Sequence, residues 1–533
     1  MPSGRRHFFV FALFVLFCSL AIGTFSGGRV SAASTPDDGV AQSVKSFTKV
    51  YDLVEQNFAD PVKADKAIYD GAIPGMLHTL DPHSNFFDPK AYAEMLTEQR
   101  ARYFGVGMLV GTDAKNRTIV RYAFVGSPAI KAGLRPGDAI IGVDDKKTEG
   151  MTQTQVVDMI KGPRGTPVQL KIAREGVQPI TVNLVRDEIP RPSVSEAFWL
   201  RPGIAYIEVK NFTDENTAKE MQANLKKLGE NNIKGLVLDL RDNPGGMLTQ
   251  GIEVAGHFLK KNQLVVSDRG RMQPNKNHTA RDNGEGRDYP IVVLVNRRSA
   301  SAAEIVSGAL QDHDRAWILG ETTFGKGLVQ SVFQLSENTA VALTTMRYYT
   351  PSGRLIQRDY SNISFLDYYY NRADQKNSAD VKMTDSGRTV YGGGGITPDE
   401  KFVAPRLNKF QIEVERNQGF FNFSAKYFGP KDAKLPKGWE PNEALVNDFH
   451  TFLLDEKIQF TEAEFTENHQ WIKNRLKREM YITAFSIDES DHVRIEQDPE
   501  VTKAIESMPK AQELLDKSKK MIVQRMAQDR AAQ

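Results

Sequence analysis

Residues 289–310, YPIVVLVNRRSASAAEIVSGAL, decide the fold of the second half of the chain. The apolar run 291–295 predicts a buried strand, a polar turn follows it, and the Ala-rich stretch from Ala302 predicts a helix. Ser301 then lies at the start of that helix, where the helix dipole favours a developing negative charge. The residue is therefore either an ordinary N-cap or a nucleophile, and a second catalytic group is needed to decide.

Strands and helices alternate on both sides of this unit. Strands are predicted at 204–209, 233–240 and 291–295, and helices at 215–228, 251–259 and 302–311. Such alternation predicts an α/β layer architecture. It begins after the Pro190-Arg191-Pro192 linker and closes near 395–398, so we assign residues 193–402 to one domain.

The other regions have different patterns. Apolar residues at helical spacing predict a helical N-terminal region over 40–100. Short β-rich runs with Gly and Pro turns predict a compact β domain over 101–189, with one helix at 153–160. The capping box Thr461-x-x-Glu464, followed by apolar residues at helical spacing, predicts a mostly helical C-terminal extension over 405–533.

The first 33 residues have the features of an export signal. A basic pair precedes a sixteen-residue apolar run at 8–23, and small residues predict cleavage after Ala32 or Ala33. We therefore expect delivery to the periplasm or cell envelope, with membrane attachment only if the signal stays uncut. The single cysteine, Cys18, lies within this signal. The mature chain thus excludes disulfides, thiol catalysis and Cys-zinc sites.

Length and composition narrow the class of protein further. A chain of 533 residues is too long for one ordinary core, which predicts several domains. The hydrophobic fraction of 40% and charged fraction of 26% are typical of globular proteins. The 69 basic and 67 acidic residues give a net charge of +2, and nothing in this balance indicates nucleic-acid binding.

Lys326 lies in GETTFGKG (320–327), which nearly spells a phosphate-binding loop. Gly327 stands where such a loop needs Ser or Thr for magnesium, and the alternation over 328–335 predicts a strand instead of a helix. A lysine between two glycines can approach other backbone closely and lose its water, which lowers its pKa toward that of a general base. The alternative is a solvated lysine in a turn.

The histidines of the sequence do not suit Ser301 as catalytic partners. His313 lies twelve residues further along the same helix, about 18 Å away, and cannot reach it. The remaining histidines are scattered without metal-ligand spacing. DLRDNPGG (239–246) ends the predicted strand 233–240 with Gly245 and Gly246, whose amides can face an oxyanion, although such a sequence alone indicates only a turn.

Three motifs in this order, DLRDNPGG (239–246), NRRSASAAEIVSGAL (296–310) and GETTFGKGLVQ (320–330), resemble those of the carboxy-terminal processing proteases, also called tail-specific proteases. The resemblance covers roughly residues 40–402. It implies an α/β multidomain fold: a crotonase-like α/β protease core with an inserted PDZ-like β domain and a helical N-terminal region. The helical C-terminal extension lies outside the resemblance and is predicted from its own pattern.

The same resemblance implies roles for individual residues. Ser301 matches the family nucleophile, Lys326 its general base, and Gln330 the residue that orients the lysine. The amide of Ala302, with that of Gly246 or of Gly245, matches the oxyanion hole. The sequence departs from the usual pattern at Ala303 and at 297–298, and neither change removes a required group.

In the PDZ-like segment, a Gly-rich loop exposes backbone amides that can hold a terminal carboxylate, and the strand after it can accept a peptide edge to edge. The alternative is a simple hairpin bend. The residues expected to bind substrate are Phe104, Gly105, Val106, Gly107, Met108 and Lys161.

Together these observations predict an exported serine endopeptidase that cleaves proteins near their C-termini through an acyl-enzyme. No metal or organic cofactor is expected, and the partners are proteins or peptides with free C-termini. The extension 405–533 could bind a second copy of the chain or an adaptor protein. One alternative is a noncatalytic envelope scaffold that binds C-termini; another is a nucleotide-binding protein that uses residues 320–327.

Overall fold

The computed structural model describes residues 38–99, 103–190, 192–272, 274–281, 287–361, 363–370, 377–431 and 433–532. The predicted export signal, 1–33, lies outside them. Among the helices of the described residues, none has the length and apolar character of a membrane span.

The N-terminal region is helical, as predicted, and contains one short strand. Its elements are α1 (Asp38–Asn57), a π-helical turn (Lys66–Ala72), α2 (Ile73–His78), β1 (Asn85–Phe87) and α3 (Pro89–Gln99). The apolar residues of α1, among them Val44, Phe47 and Leu53, are exposed. This helix therefore contributes no side chains to a core within the described residues.

A small antiparallel β domain follows. Its elements are β2 (Tyr103–Gly105), β3 (Met108–Thr112), β4 (Thr118–Ala123), α4 (Pro128–Lys131), β5 (Ala139–Val143), β6 (Lys146–Lys147), α5 (Gln153–Ile160), β7 (Pro167–Ala173), β8 (Ile180–Val185) and β9 (Asp187–Ile189). The strand order is β3-β4-β5-β7-β8, with β6 beside β5 and with β2 paired to β9. Strand β3 is an edge strand, so one side of it has no strand partner.

The α/β domain carries the motifs that the sequence singled out. Its elements are β10 (Val194–Arg201), β11 (Ile204–Val209), α6 (Thr217–Lys227), a 3₁₀ turn (Glu230–Asn232), β12 (Gly235–Asp239), α7 (Leu248–Gly256), β13 (Leu264–Gly270), β14 (Lys276–Thr279), β15 (Ile291–Val295), α8 (Ala302–Asp312), β16 (Trp317–Gly320), β17 (Leu328–Gln334), β18 (Ala340–Tyr349), α9 (Phe365–Tyr370), β19 (Asn377–Met383), β20 (Thr389–Gly392) and β21 (Glu400–Lys401).

Two sheets organise this domain. The first has the order β10-β11-β12-β15-β16-β21 and is parallel from β11 onward. All five residues of β15 are buried, because both faces of this sheet are covered. The second sheet contains β14, β13, β18 and β17, and it also accepts β1, whose Phe87 pairs with Ala340. The N-terminal region is thereby joined to the α/β domain.

The C-terminal extension is helical, as predicted. Its helices are α10 (Lys409–Arg416), α11 (Gly419–Phe428), α12 (Glu443–Asp455), α13 (Glu462–Glu467), α14 (His469–Ala484), α15 (Ile487–Glu496), α16 (Pro499–Glu506) and α17 (Met508–Ala532). Aromatic residues dominate its own core, where Phe420 stacks on Phe449 with ring centroids 4.6 Å apart.

This extension contacts two other parts of the chain. Helices α15 to α17 cover one face of the parallel sheet, where Val501 and Met508 pack with Val237 and Leu294. At the other end, Phe421 of α11 packs against the β domain at Ile119 and Ala139. The extension therefore links the β domain to the α/β domain through side-chain packing, in addition to the covalent connection between the two domains.

Candidate active site

The turn that carries Ser301 has an unusual backbone. Strand β15 ends at Val295, α8 begins at Ala302, and Ser301 between them has φ of 55° and ψ of −115°. A positive φ is uncommon for a residue with a side chain and persists only where surrounding contacts hold it. The strand, turn and helix predicted from 289–310 are confirmed, and Ser301 precedes the helix as expected.

Ser299, in the same turn, has a structural role. Its Oγ donates a hydrogen bond to the carbonyl oxygen of Leu240 at 2.7 Å and accepts one from the amide of Asn296 at 2.9 Å. The side chain is fully buried. Its hydroxyl therefore fastens the turn to the loop that contains the paired glycines.

Gly245 lies against Ser301 and Gly246 against Phe212, and neither position has room for a side chain. A Cβ on Gly245, which has φ of 93°, would lie 2.6 Å from the Cβ of Ser301 and 2.8 Å from the nitrogen of Ala302. On Gly246, with φ of 148°, it would lie 2.3 Å from the backbone of Phe212. Both positions thus require glycine on steric grounds.

Hydrogen bonds distinguish the two glycine amides. The amide of Gly245 donates to Oδ1 of Asn243 at 2.8 Å and is already used within the fold. For the amides of Gly246 and Ala302, no acceptor is found among the described residues. Of the two glycines that the sequence offered, Gly246 is the one whose amide has no acceptor in the described part of the chain.

Lys326 is buried within its loop, with an exposed fraction of 0%. Gly325 before it has φ of 86°, and the amide of Gly327 after it donates to Oε1 of Gln357 at 2.8 Å. The phenol of Tyr348 donates to the carbonyl oxygen of Lys326. Strand β17 follows directly, as predicted, which is unlike the helix that continues a phosphate-binding loop.

The carboxylate of Glu304 joins the serine turn to the lysine loop. Its Oε2 accepts hydrogen bonds from the amides of Ser301 at 2.9 Å and Lys326 at 2.8 Å. Its Oε1 accepts from the amide of Gly325 at 2.7 Å and from the hydroxyl of Thr323. One buried side chain therefore holds both segments in a fixed relation.

Sequence reasoning missed Glu304, although the signal was present. Ser301-x-x-Glu304 has the spacing of a capping box, in which the glutamate binds the N-cap amide. Complete burial raises the pKa of the Glu304 carboxyl, and the hydrogen bonds from Thr323, Lys326 and Gly325 oppose this by favouring the ionised form.

Gln330 lies on β17 beside this loop. The pairing of β17 with β18 is irregular between Val329 and Gln330, which is consistent with a bulge, and Gln330 pairs with Thr344. Its Nε2 donates to Oγ1 of Thr344 at 3.1 Å. Its Oε1 is buried and has no hydrogen-bond partner among the described residues.

A second group that the sequence did not single out is His83. Its two ring nitrogens lie 3.0 Å and 3.2 Å from the hydroxyls of Tyr368 and Tyr369. Burial lowers the pKa of His83 well below 6.5, and the positive charges of Lys326 and Arg358 lower it further. The imidazole is therefore neutral at physiological pH.

His313 lies at the opposite end of α8 from Ser301. His313 follows the last residue of α8 and contacts Asp385 at 2.8 Å and the carbonyl oxygen of Leu264 at 2.7 Å. His313 therefore caps the end of α8, away from Ser301. Across the described parts of the chain, His, Cys, Asp and Glu residues form no cluster that could hold a metal ion.

In the β domain, Val106 and Gly107 connect β2 to the edge strand β3, so only the second half of the predicted loop 104–107 lies outside a strand. The carbonyl oxygens of Val106 and Gly107 accept hydrogen bonds from Ala129 and Phe124. No acceptor for the amides of Val106 and Gly107 is found among the described residues. Phe104 and Gly105 lie on β2, and Met108 begins β3.

Lys161 lies directly after α5 and is exposed. The end of this helix is held by Arg186, whose guanidinium donates to the carbonyl oxygens of Ile160 at 2.7 Å and Met159 at 2.9 Å. Arg186 thereby satisfies helix carbonyls that would otherwise lack partners. The sequence did not reveal this role.

Comparisons with known proteins agree with this architecture. Residues 203–362 match the model of peptidase family S41, residues 95–173 match the PDZ domain, and residues 24–91 match the activating protease CtpB N-terminal domain. The β domain is thus a PDZ domain.

Similar whole proteins are also known. The carboxy-terminal-processing protease of Bartonella bacilliformis is 39% identical over 333 residues, which cover 61% of this chain and 75% of that protein. The carboxy-terminal processing protease CtpB of Bacillus subtilis is 32% identical over 333 residues, covering 62% and 68%. The solved structure of a photosystem II D1 C-terminal processing protease is 27% identical, covers 75% of this chain and 94% of its own, and gives a TM-score of 0.36.

The fold and these relatives define a serine-type peptidase with a PDZ domain. The chain belongs to the carboxy-terminal processing protease family. The resemblance to this family and the α/β multidomain fold class predicted from the sequence are therefore confirmed.

Glu304→Gln tests the link between the serine turn and the lysine loop. The substitution replaces one acceptor oxygen by an NH₂ group that must face donors. We expect kcat/KM on a quenched-fluorescence peptide to fall by about 100-fold, with a lower midpoint of thermal unfolding, because a buried donor pair loses its acceptor. Glu321→Gln is the control, since Glu321 pairs with exposed Arg297 in the neighbouring segment. Normal activity and stability of Glu304→Gln would contradict the assigned role.

Proposed function

We propose that this protein is an exported endopeptidase that cleaves other proteins near their C-termini through a Ser301–Lys326 dyad. The observation that supports the proposal most strongly is the shared carboxylate of Glu304, which binds the backbone amides of both residues. A nucleophile and its base need a fixed mutual geometry, and this contact supplies one.

Lys326 acts as the general base. A lysine with an exposed fraction of 0% pays the desolvation penalty of its charged form, so its neutral amine is favoured relative to that of a solvated lysine. The amine takes the proton from Ser301 Oγ as this oxygen attacks the substrate carbonyl. The resulting ammonium then protonates the leaving amine, and water hydrolyses the acyl-enzyme by the same proton transfers in reverse.

The oxyanion of the tetrahedral intermediate binds the amides of Gly246 and Ala302. Both amides have no acceptor among the described residues, and Ala302 is the first residue of α8. The positive end of the helix dipole adds to this stabilisation. Gln330 orients the lysine, which is the role that its match to the family motif implies. No metal or organic cofactor takes part in the proposed reaction.

The PDZ domain binds the free C-terminus of the substrate. The amides of Val106 and Gly107 are suited to a carboxylate, while the substrate tail extends β3 at its unpaired edge. Met108 contributes to the pocket, and Lys161 lies near the end of α5. Export by the signal 1–33 brings the enzyme to the periplasm or cell envelope, where it meets such substrates.

Ser301→Ala is expected to abolish proteolysis while the protein remains folded. Loss of the nucleophile lowers kcat by about 1,000-fold or more. Ser299→Ala is the matched control in the same turn: it should lose about 1 kcal/mol of stability through its structural hydrogen bonds and keep much of its activity. Peptide cleavage and thermal unfolding measure both effects. An active Ser301→Ala with an inactive Ser299→Ala would refute the assignment.

Lys326→Arg is expected to be nearly inactive, because a guanidinium does not give up its proton near neutral pH. In the wild type, kcat/KM should rise with pH, since the neutral amine is the active form, with a midpoint below about 10.4. EDTA should leave the rate unchanged. Substantial activity of Lys326→Arg, or loss of activity in EDTA that zinc restores, would defeat the proposal.

Amidation of the substrate C-terminus is expected to slow cleavage. The amide removes the charge-assisted hydrogen bonds to the loop 104–107, each worth on the order of 1.5–3 kcal/mol before solvent screening. Matched free-acid and amide peptides with the same apolar last residue give kcat/KM values for comparison. Equal values would mean that the PDZ domain does not select C-termini.

A further inference from the structure

The two polar atoms of the Gln330 carboxamide differ in their hydrogen bonding. Nε2 donates to Oγ1 of Thr344 at 3.1 Å, whereas Oε1 has no hydrogen-bond partner among the described residues. Gln330 is 3% exposed, so water does not readily compensate for the missing partner. An unsatisfied buried acceptor destabilises a fold, and its presence calls for a reason.

Thr344 is itself fixed from the N-terminal region. Its amide donates to Oγ of Ser84 at 3.2 Å, and that hydroxyl donates to Oδ2 of Asp81 at 2.7 Å. Oδ1 of Asp81 accepts the amides of His83 and Ser84 at 2.7 Å and 2.8 Å. Asp81 and Ser84 are both buried. A rigid turn more than two hundred residues away in sequence thus holds the position of Thr344 on β18.

We propose that Thr344 is a positioning residue of the protease, which fixes the Gln330 carboxamide so that Oε1 is available as an acceptor for the Lys326 ammonium. This inference rests on the proposed Ser301–Lys326 dyad and goes beyond it, because it identifies the side chain that holds the Gln330 carboxamide in place.

The open acceptor stabilises the reaction only when charge develops. Proton transfer from Ser301 creates an ammonium on the buried Lys326, and Oε1 of Gln330 then gains a charged donor. Stabilisation that is absent in the resting enzyme and present in the transition state raises kcat. Because Nε2 donates to Thr344, Oε1 is the end of the carboxamide that is left for the ammonium, and the Thr344 hydroxyl holds the carboxamide in that place.

The pH profile separates this role from one in packing. Without a fixed acceptor, the ammonium of Lys326 is less stable, and the midpoint of kcat/KM moves to lower pH while the plateau rate falls. If the substitution only loosened packing and admitted water, the ammonium would be better solvated and the midpoint would move to higher pH. The charged and titratable groups around Lys326 are Glu304, His83, Tyr348 and Arg358. Thr344 substitutions leave them all in place.

The experiment compares Thr344→Val with Thr344→Ser in the full chain, on a quenched-fluorescence peptide with a free, apolar C-terminus. Valine keeps the shape and removes the hydroxyl, whereas serine keeps the hydroxyl. Thr345→Val is the matched control, because Thr345 is the next residue of β18 and its hydroxyl contacts Ser331 at 2.8 Å, not Gln330. Thr344→Ala replaces the valine variant if the latter does not fold.

We expect Thr344→Val to lower kcat about tenfold at unchanged KM and to move the pH midpoint downward. Thr344→Ser and Thr345→Val should remain within about twofold of the wild type. In a Gln330→Ala background, Thr344→Val should have no further effect, since its influence passes through Gln330.

A wild-type kcat in Thr344→Val, an upward shift of its midpoint, or an undiminished effect in the Gln330→Ala background would overturn the inference. Ser301→Ala in the same assay tests the dyad separately. If Ser301→Ala is inactive and Thr344→Val behaves as the wild type, only the role of Thr344 fails. If Ser301→Ala stays active, the proposed function itself fails.

Discussion

The arrangement of the active site depends on one buried carboxylate. Glu304 receives hydrogen bonds from three backbone amides and a hydroxyl, contributed by the turn at Ser301 and by the segment 323–326. A charge in such a place is stable only when several donors converge on it, and those donors in turn are fixed by it. The positive φ of Ser301 and the burial of Lys326 therefore belong to the same network, and neither segment can shift without leaving polar groups unsatisfied.

Much of this arrangement is visible in the sequence because it is local. The run 291–295 and the Ala-rich stretch after it predict a strand and helix without knowledge of the rest of the fold, and the glycines around Lys326 mark a tight loop. Gly245 and Gly246 also predict a close approach between backbone segments, but they do not indicate which of the two amides lacks a hydrogen-bond acceptor. That distinction depends on Asn243, whose side-chain oxygen accepts the hydrogen bond of the Gly245 amide. The pattern of apolar and polar residues in the sequence does not predict such a contact.

The parts that the sequence did not reveal are contacts between distant segments. His83 lies between tyrosines almost three hundred residues away, and Thr344 connects Ser84 to Gln330. Each of these residues is unremarkable in its own stretch of chain. Glu304 is a different case, because its spacing from Ser301 predicts the hydrogen bond to the Ser301 amide. Only its hydrogen bonds to the lysine loop could not be predicted from the sequence.

The two attachments of the C-terminal extension are unequal in kind. Against the parallel sheet it buries a broad aliphatic surface, and Arg241 adds ion pairs to Asp498 and Glu500 at 2.8 Å. Against the PDZ domain it contributes Phe421, with the guanidinium of Arg121 over its ring at 4.3 Å, and polar contacts such as that of Arg135 with the carbonyl oxygen of Lys431 at 2.9 Å. Small mixed interfaces of this kind release before large apolar ones. We therefore expect the PDZ domain to separate from the extension more readily than the extension separates from the protease domain.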